Sequence, residues 1–204
     1  MPDETRARQP QPPSTVDDLR RGIAIVLTGG RSSRMGRPKA LLPLEGTTFL
    51  GLILSRLAQA GIEAGVVTSV DLPIDGAAVN LRPDEGQLSS LRVGLEAFAK
   101  DRPWLMLVLV DHPTVSVDTY RRLAAAADEG HRLVAPSFQG RRGHPVVFSR
   151  ACFPDLLEGP LEEGARWVVG RHRHLRHELE VDDPGILRDI DLPEDYRRLT
   201  SQEP

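Results

Sequence analysis

The uninterrupted apolar run at 104–110, WLMLVLV, constrains this chain more than any other stretch. It is far too short to cross a bilayer, and with no polar residue alternating along it there is no face for water. It therefore reads as a strand buried on both sides, the habit of central strands in α/β sheets. A second apolar run, IAIVL at 23–27, has the same character. Between and after these runs the spacing turns helical: Leu50, Ile53, Leu54 and Leu57 share one face of a segment at 49–60, opened by Thr47 or Thr48 as N-cap and stopped by Gly61. Leu91, Leu95 and Phe98 share a face of a helix opened near Gln87 or Ser89, and Tyr120, Leu123 and Ala127 do so within 117–129. Shorter strands are expected at 64–69 and 77–81, with a loop at 71–76 between them. The expected class is α/β, with a mostly parallel central sheet and helices covering both faces.

The chain has 204 residues, enough for one domain with roughly five to seven strands. That domain is expected over 19–204. Residues 1–18 are rich in proline, charge and glutamine, with almost nothing to bury, and read as a disordered tail. With 26 basic and 29 acidic residues the formal net charge is −3, so no nucleic-acid partner held by bulk attraction is expected, and any cationic site must be local. A single cysteine, Cys152, rules out an internal disulfide or a thiolate metal cluster and reads as a small buried residue. No apolar stretch approaches the roughly 18 residues of a membrane span, and the N-terminus lacks a hydrophobic signal core; no membrane partner is expected, and the expected location is cytoplasmic.

In such sheets, ligands sit beyond the carboxyl ends of the strands, and both apolar runs end in residues that carry chemistry. The first empties into Thr28, Gly29 and Gly30, followed by Arg31, Ser32, Ser33, Arg34, Arg37 and Lys39. Glycine backbone, hydroxyls and clustered cations suit a polyphosphate, although a solvated basic loop has the same composition. The loop matches neither the Walker A nor the GxGxxG spacing. The second run ends in Asp111, His112 and Pro113, where the aspartate suits either a metal ion or the cap of a following helix. Near the C-terminus, LRDIDLPEDYRRL reads as a strand finishing at Asp191 and a helix opened by Pro193 and Glu194. The histidine-rich RHRHLRH at 171–177 is interleaved with arginines, which disfavour a bound cation, so it reads as a solvated edge.

The motif LTGGRSSRMGRPK resembles the loop LAAGxSxRMGxxK of the MobA-like NTP transferase family, whose members have a Rossmann-like nucleotidyltransferase fold of three α/β/α layers; the chain is most like the molybdenum cofactor cytidylyltransferase branch. In that family the loop wraps the triphosphate of an NTP. The resemblance therefore implies nucleotide binding by Thr28, Gly29, Gly30, Arg31, Ser32, Ser33, Arg34 and Lys39, with Arg34 and Lys39 as catalytic cations. GQLSSL resembles GxSSSL, which lies against base and ribose, and this implies the same for Gly86, Gln87, Ser89 and Ser90. VDHP resembles xDxP, whose aspartate holds Mg²⁺, and DIDLPEDY resembles DIDTPEDY, whose second aspartate is the other ligand. Asp111 and Asp191 are the implied metal pair, Asp111 also being catalytic. RRGHPVVF resembles RGHPVLF, a loop facing the acceptor, which implies substrate binding by Arg142 and His144; His144 serves equally well to hold loop backbone.

The resemblance implies transfer of CMP from CTP to the phosphate of molybdopterin, with release of pyrophosphate, and a molybdoenzyme that receives the product. Gly30, standing where the cytidylyl branch carries alanine, opens GTP as the donor. A sugar 1-phosphate acceptor, or a non-catalytic nucleotide- or cofactor-binding module, are the other readings.

Overall fold

The computed structural model describes residues 21–29 and 37–200. The expected tail at 1–18, and the loop residues Gly30, Arg31, Ser32, Ser33 and Arg34, lie outside the described residues.

In chain order the elements are β1 (Ile23–Leu27), the short ribbon β2 (Pro43–Leu44) and β3 (Thr47–Thr48), α1 (Phe49–Gln59), β4 (Glu63–Ser69), β5 (Ala78–Asn80), α2 (Gln87–Gly94), β6 (Trp104–Leu109), α3 (Val117–Asp128), β7 (Leu133–Phe138), β8 (Arg141–Arg142), β9 (Val146–Ser149), α4 (Phe153–Glu158), α5 (Ala165–Arg171), β10 (Arg176–Glu180) and α6 (Pro193–Thr200). The main sheet has the order β10-β7-β9-β6-β1-β4-β5, with β8 paired to β7. β1 is parallel to β4 and β6, β4 to β5, and β7 to β10, while β9 runs antiparallel between β6 and β7. The expected mostly parallel sheet is thus present.

Both apolar runs are buried except at Leu109, which is partly exposed at the end of β6. Ala24 and Val26 of β1 face a cluster with Phe49, Ile53 and Leu57 of α1 and Leu123 of α3, whereas Ile23, Ile25 and Leu27 face Leu88 and Leu91 of α2 and Leu156 of α4. The alternation puts one helical layer on each side of the strand, so neither face meets water. Thr48 caps α1 by accepting from Gly51 N at 3.1 Å. Cys152 is buried, and that burial pushes its thiol up to about 11. Among the described residues no helix is long and apolar enough to cross a membrane.

One expected element is absent. The segment before Asp191 forms no strand. A 3₁₀ turn at Pro184–Leu187 precedes an extended stretch that leaves the sheet and crosses to the end of β6, where Ile190 N donates to Asp111 O at 2.8 Å. Ile190, 1% exposed, supplies the apolar anchor. The apolar side chain expected to sit on a strand instead anchors this crossing segment on its own.

Candidate active site

Adjacent parallel strands β1 and β6 end side by side, and the site grows from those two ends. Val110 N donates to Leu27 O at 3.2 Å, so the turn carrying Gly29 and the turn carrying Asp111 leave the sheet from one point. Thr28 is buried and spends both its N–H and its hydroxyl on Val67 O, each at 3.0 Å, so its side chain fixes the turn to β4. Lys39 opens a 3₁₀ turn, Lys39–Leu41, held down by the fully buried Ala40.

That turn aims the Lys39 ammonium at both acidic residues. Nζ pairs with Asp191 Oδ1 and lies 3.9 Å from Asp111 Oδ2. Carboxylates 80 positions apart therefore share one cation. Asp111 is the more buried of the two. Burial raises its carboxyl above the usual value and Asp191's charge adds to the rise, while His112 and Lys39 act in the opposite sense. Its Oδ1 is buried with no hydrogen-bond partner among the described residues, 3.8 Å from His112 Nε2. The His112 ring lies 5.2 Å from that of His144, and the backbone N–H of His144 donates to Ile186 O at 2.9 Å. Burial, reinforced by His112, pushes His144 down to about 4.

A buried, unpartnered carboxylate oxygen, a second carboxylate beside it and a bridging ammonium fit a hard divalent cation, whose ligands are oxygens; the ammonium already stands where positive charge is required. Two carboxylates against one lysine leave a net charge of −1, which repels a polyphosphate until more positive charge joins.

On the other side of β1, Gly86 (φ +93°) turns the chain into α2, a conformation that favours glycine. Gln87 is exposed at the start of that helix. Ser90 approaches the glycine turn: a Cβ placed on Gly29 would stand 3.9 Å from Ser90 Oγ. Ser89 instead supports the turn, its hydroxyl lying 2.8 Å from Gly86 O. A cleft of about 360 Å³ opens beyond Ser89, on the outer side of α2, lined in part by Arg82, Glu85, Arg92 and Glu96 and away from Lys39. Arg142 pairs its guanidinium with Glu178 of β10 at 3.1 Å. In the histidine-rich segment, His172 pairs with Asp155 at 2.6 Å and His177 stacks on His131.

Sequence reasoning missed two anchors. Asp183 accepts from Ser116 N at 2.8 Å, Thr119 Oγ1 at 2.6 Å and Gly185 N at 2.8 Å, tying the segment that carries Asp191 to the start of α3. Asn80, at the end of β5, contacts both Ser89 and Ser90. The only signal for Asn80 was a polar residue near the end of the strand expected at 77–81.

A doubly covered, mostly parallel sheet with lysine, paired carboxylates and a glycine turn gathered at its carboxyl edge defines an α/β protein of the phosphate-handling class. The chain belongs to the MobA-like NTP transferase family, whose domain matches residues 24–177, and is a nucleotidyltransferase. It is 30% identical over 193 residues to the purine catabolism protein PucB of Bacillus subtilis, covering 85% of this chain and 93% of that one. It is 25% identical over 189 residues to the molybdenum cofactor cytidylyltransferase of Escherichia coli, covering 88% and 94%. A molybdenum cofactor guanylyltransferase of Xanthomonas euvesicatoria is 40% identical over 111 residues, 54% of this chain and 57% of its own length. Among solved structures, Rv0371c of Mycobacterium tuberculosis in complex with manganese superposes with a TM-score of 0.73 at 30% identity, over 90% of this chain and all of that one.

Proposed function

We propose that this protein transfers CMP from CTP to the phosphate of molybdopterin, releasing pyrophosphate. The observation that carries the reading is the meeting of Lys39, Asp111 and Asp191 at the shared end of β1 and β6. A protein that only binds a nucleotide has no need of two carboxylates facing the phosphates. The acceptor, a phosphate monoester with a second pKa of about 6, is anionic near neutral pH and attacks the α-phosphorus of the NTP without a protein nucleophile. The difficulty is electrostatic, because two polyanions must meet and charge then moves onto the departing pyrophosphate.

Asp111 and Asp191 would hold Mg²⁺, which supplies Lewis acidity and charge neutralisation at the phosphates. The manganese in the Rv0371c structure supports a divalent ion in this family. Lys39 carries fixed positive charge to the pyrophosphate side, and Arg34, Arg31, Ser32, Ser33 and the backbone of Gly29 and Gly30 complete the phosphate-binding loop. Gly86, Gln87, Ser89 and Ser90 form or support the nucleoside side. His144, beside His112, faces the acceptor with Arg142 at the outer rim.

GTP is the second donor reading, favoured by Gly30 and by the relative named as a guanylyltransferase. Pyrophosphate release, measured with each of four NTPs against molybdopterin and against sugar 1-phosphates, tests both. Release with CTP and molybdopterin is expected. Release with GTP alone moves the assignment to the second reading, and no release with any acceptor rejects transfer to these acceptors.

A further inference from the structure

Asn80 is 3% exposed, and every polar atom of its side chain is engaged. Its Oδ1 accepts from Arg82 N at 2.9 Å. A backbone N–H can only donate, so this bond fixes which end of the amide is oxygen. Nδ2 must then give its two protons to Ser89 Oγ at 2.8 Å and Ser90 Oγ at 2.9 Å. Both hydroxyls are thereby made acceptors toward Asn80, and their own protons must point elsewhere. Ser89 has carbonyls to receive its proton, Gly86 O at 2.8 Å and Arg82 O at 3.1 Å. Ser90, 8% exposed, donates to no group among the described residues.

We propose that Asn80 is a positioning residue that turns the Ser90 hydroxyl proton away from β5, leaving it to donate to the nucleoside portion of the NTP. The inference rests on the nucleotidyl-transfer reading and specifies how its nucleoside side works. Position supports the nucleoside rather than the phosphates: β5 stands three strands from β6, roughly 14 Å from the Asp111 end at the spacing of neighbouring strands. Ser90 lies between, beside Gly29, where the absence of a side chain leaves the hydroxyl within reach. The partner atom on the ligand is an acceptor, such as a base carbonyl or a ribose oxygen. A buried donor without a partner is costly, so the ligand atom that satisfies it is selected by more than proximity.

Asn80→Asp reverses the polarity with almost no change in shape. A carboxylate at 80 still accepts from Arg82 N, but it also takes the Ser90 proton, leaving a lone pair facing the nucleoside. Ser90→Ala deletes the donor outright. The test is calorimetric titration of CTP and GTP into the wild type, Asn80→Asp, Ser90→Ala and the double variant, with KM and kcat measured alongside. Expected are a loss of NTP affinity of about tenfold in each single variant, the same loss in the double variant, and KM raised with kcat nearly unchanged. Wild-type affinity in Ser90→Ala, or additive losses in the double variant, would overturn the relay. Should Asn80→Asp fail to fold, the Ser90→Ala titration alone decides it: a tenfold loss supports the donor and an unchanged affinity removes it. A wild type that binds no NTP would overturn the functional reading itself, and the inference with it.

Discussion

Lys39 is the residue on which the electrostatics of this site turn. Its ammonium bridges Asp111 and Asp191, so it neutralises part of their mutual repulsion, and in the proposed reaction it would present charge toward the phosphates. Asp111→Asn removes a ligand charge where negative charge is redistributed in the transition state, and is expected to lower kcat by about 10²- to 10³-fold with a smaller change in the NTP KM. Lys39→Ala is expected to damage both constants while leaving affinity for the metal alone undiminished, because it removes a competing cation from the same carboxylates; steady-state kinetics under magnesium titration checks both variants. His144 adds a pH dependence. Its folded pKa, about 4, lies below the unfolded value near 6.5, so its contribution is fully present above pH 6.5 and is lost as the pH falls toward 4. The loss amounts to about 3 kcal/mol at most. Urea denaturation between pH 7 and 5 should show a shallower decline for His144→Gln than for the wild type.

Among the elements, the segment from Asp183 to Asp191 does for the second carboxylate what a strand end does for the first. Asp183, 7% exposed, satisfies three donors at once, and Gly185 fits only because a Cβ there would stand 2.7 Å from Thr114 O. Asp183→Ala leaves those donors unpaired and is expected to cost about 2–3 kcal/mol in urea unfolding, with a fall in kcat as Asp191 loses its support. The central strands were legible because their apolar runs are continuous and nearly all of each is buried, and the helices because one periodic face of each meets the sheet. The crossing segment was not: Ile190 reads locally as part of a strand, and a backbone bond to Asp111, 79 positions away, leaves no local trace. The same holds for the site. Lys39, Asp111 and Asp191 could be named from motif register, whereas the Asn80 bonds to Ser89 and Ser90 and the packing of His112 on His144 arise only when β5 docks α2 and the loop before β9 docks the end of β6.

On the scale of the whole molecule, the strand order brings the two halves of the site together. β1 lies between β6 and β4, so the glycine turn sits at the centre of the carboxyl edge, with the paired carboxylates on one side and the Asn80–Ser90 network on the other. In the proposed reaction a nucleotide lying along this edge would meet phosphate-binding groups at one end and hydrogen-bonding groups at the other, and the fold's two apolar clusters pack on opposite faces of β1 beneath it. The account depends on Asp111 and Asp191 acting as one site for a divalent ion. Titration of Mn²⁺ into the NTP-bound protein, followed by electron paramagnetic resonance, measures that directly. One tight ion per chain is predicted, at least tenfold weaker in Asp111→Asn and in Asp191→Asn, with the double variant no weaker than the singles; binding of wild-type strength in either single variant would contradict it.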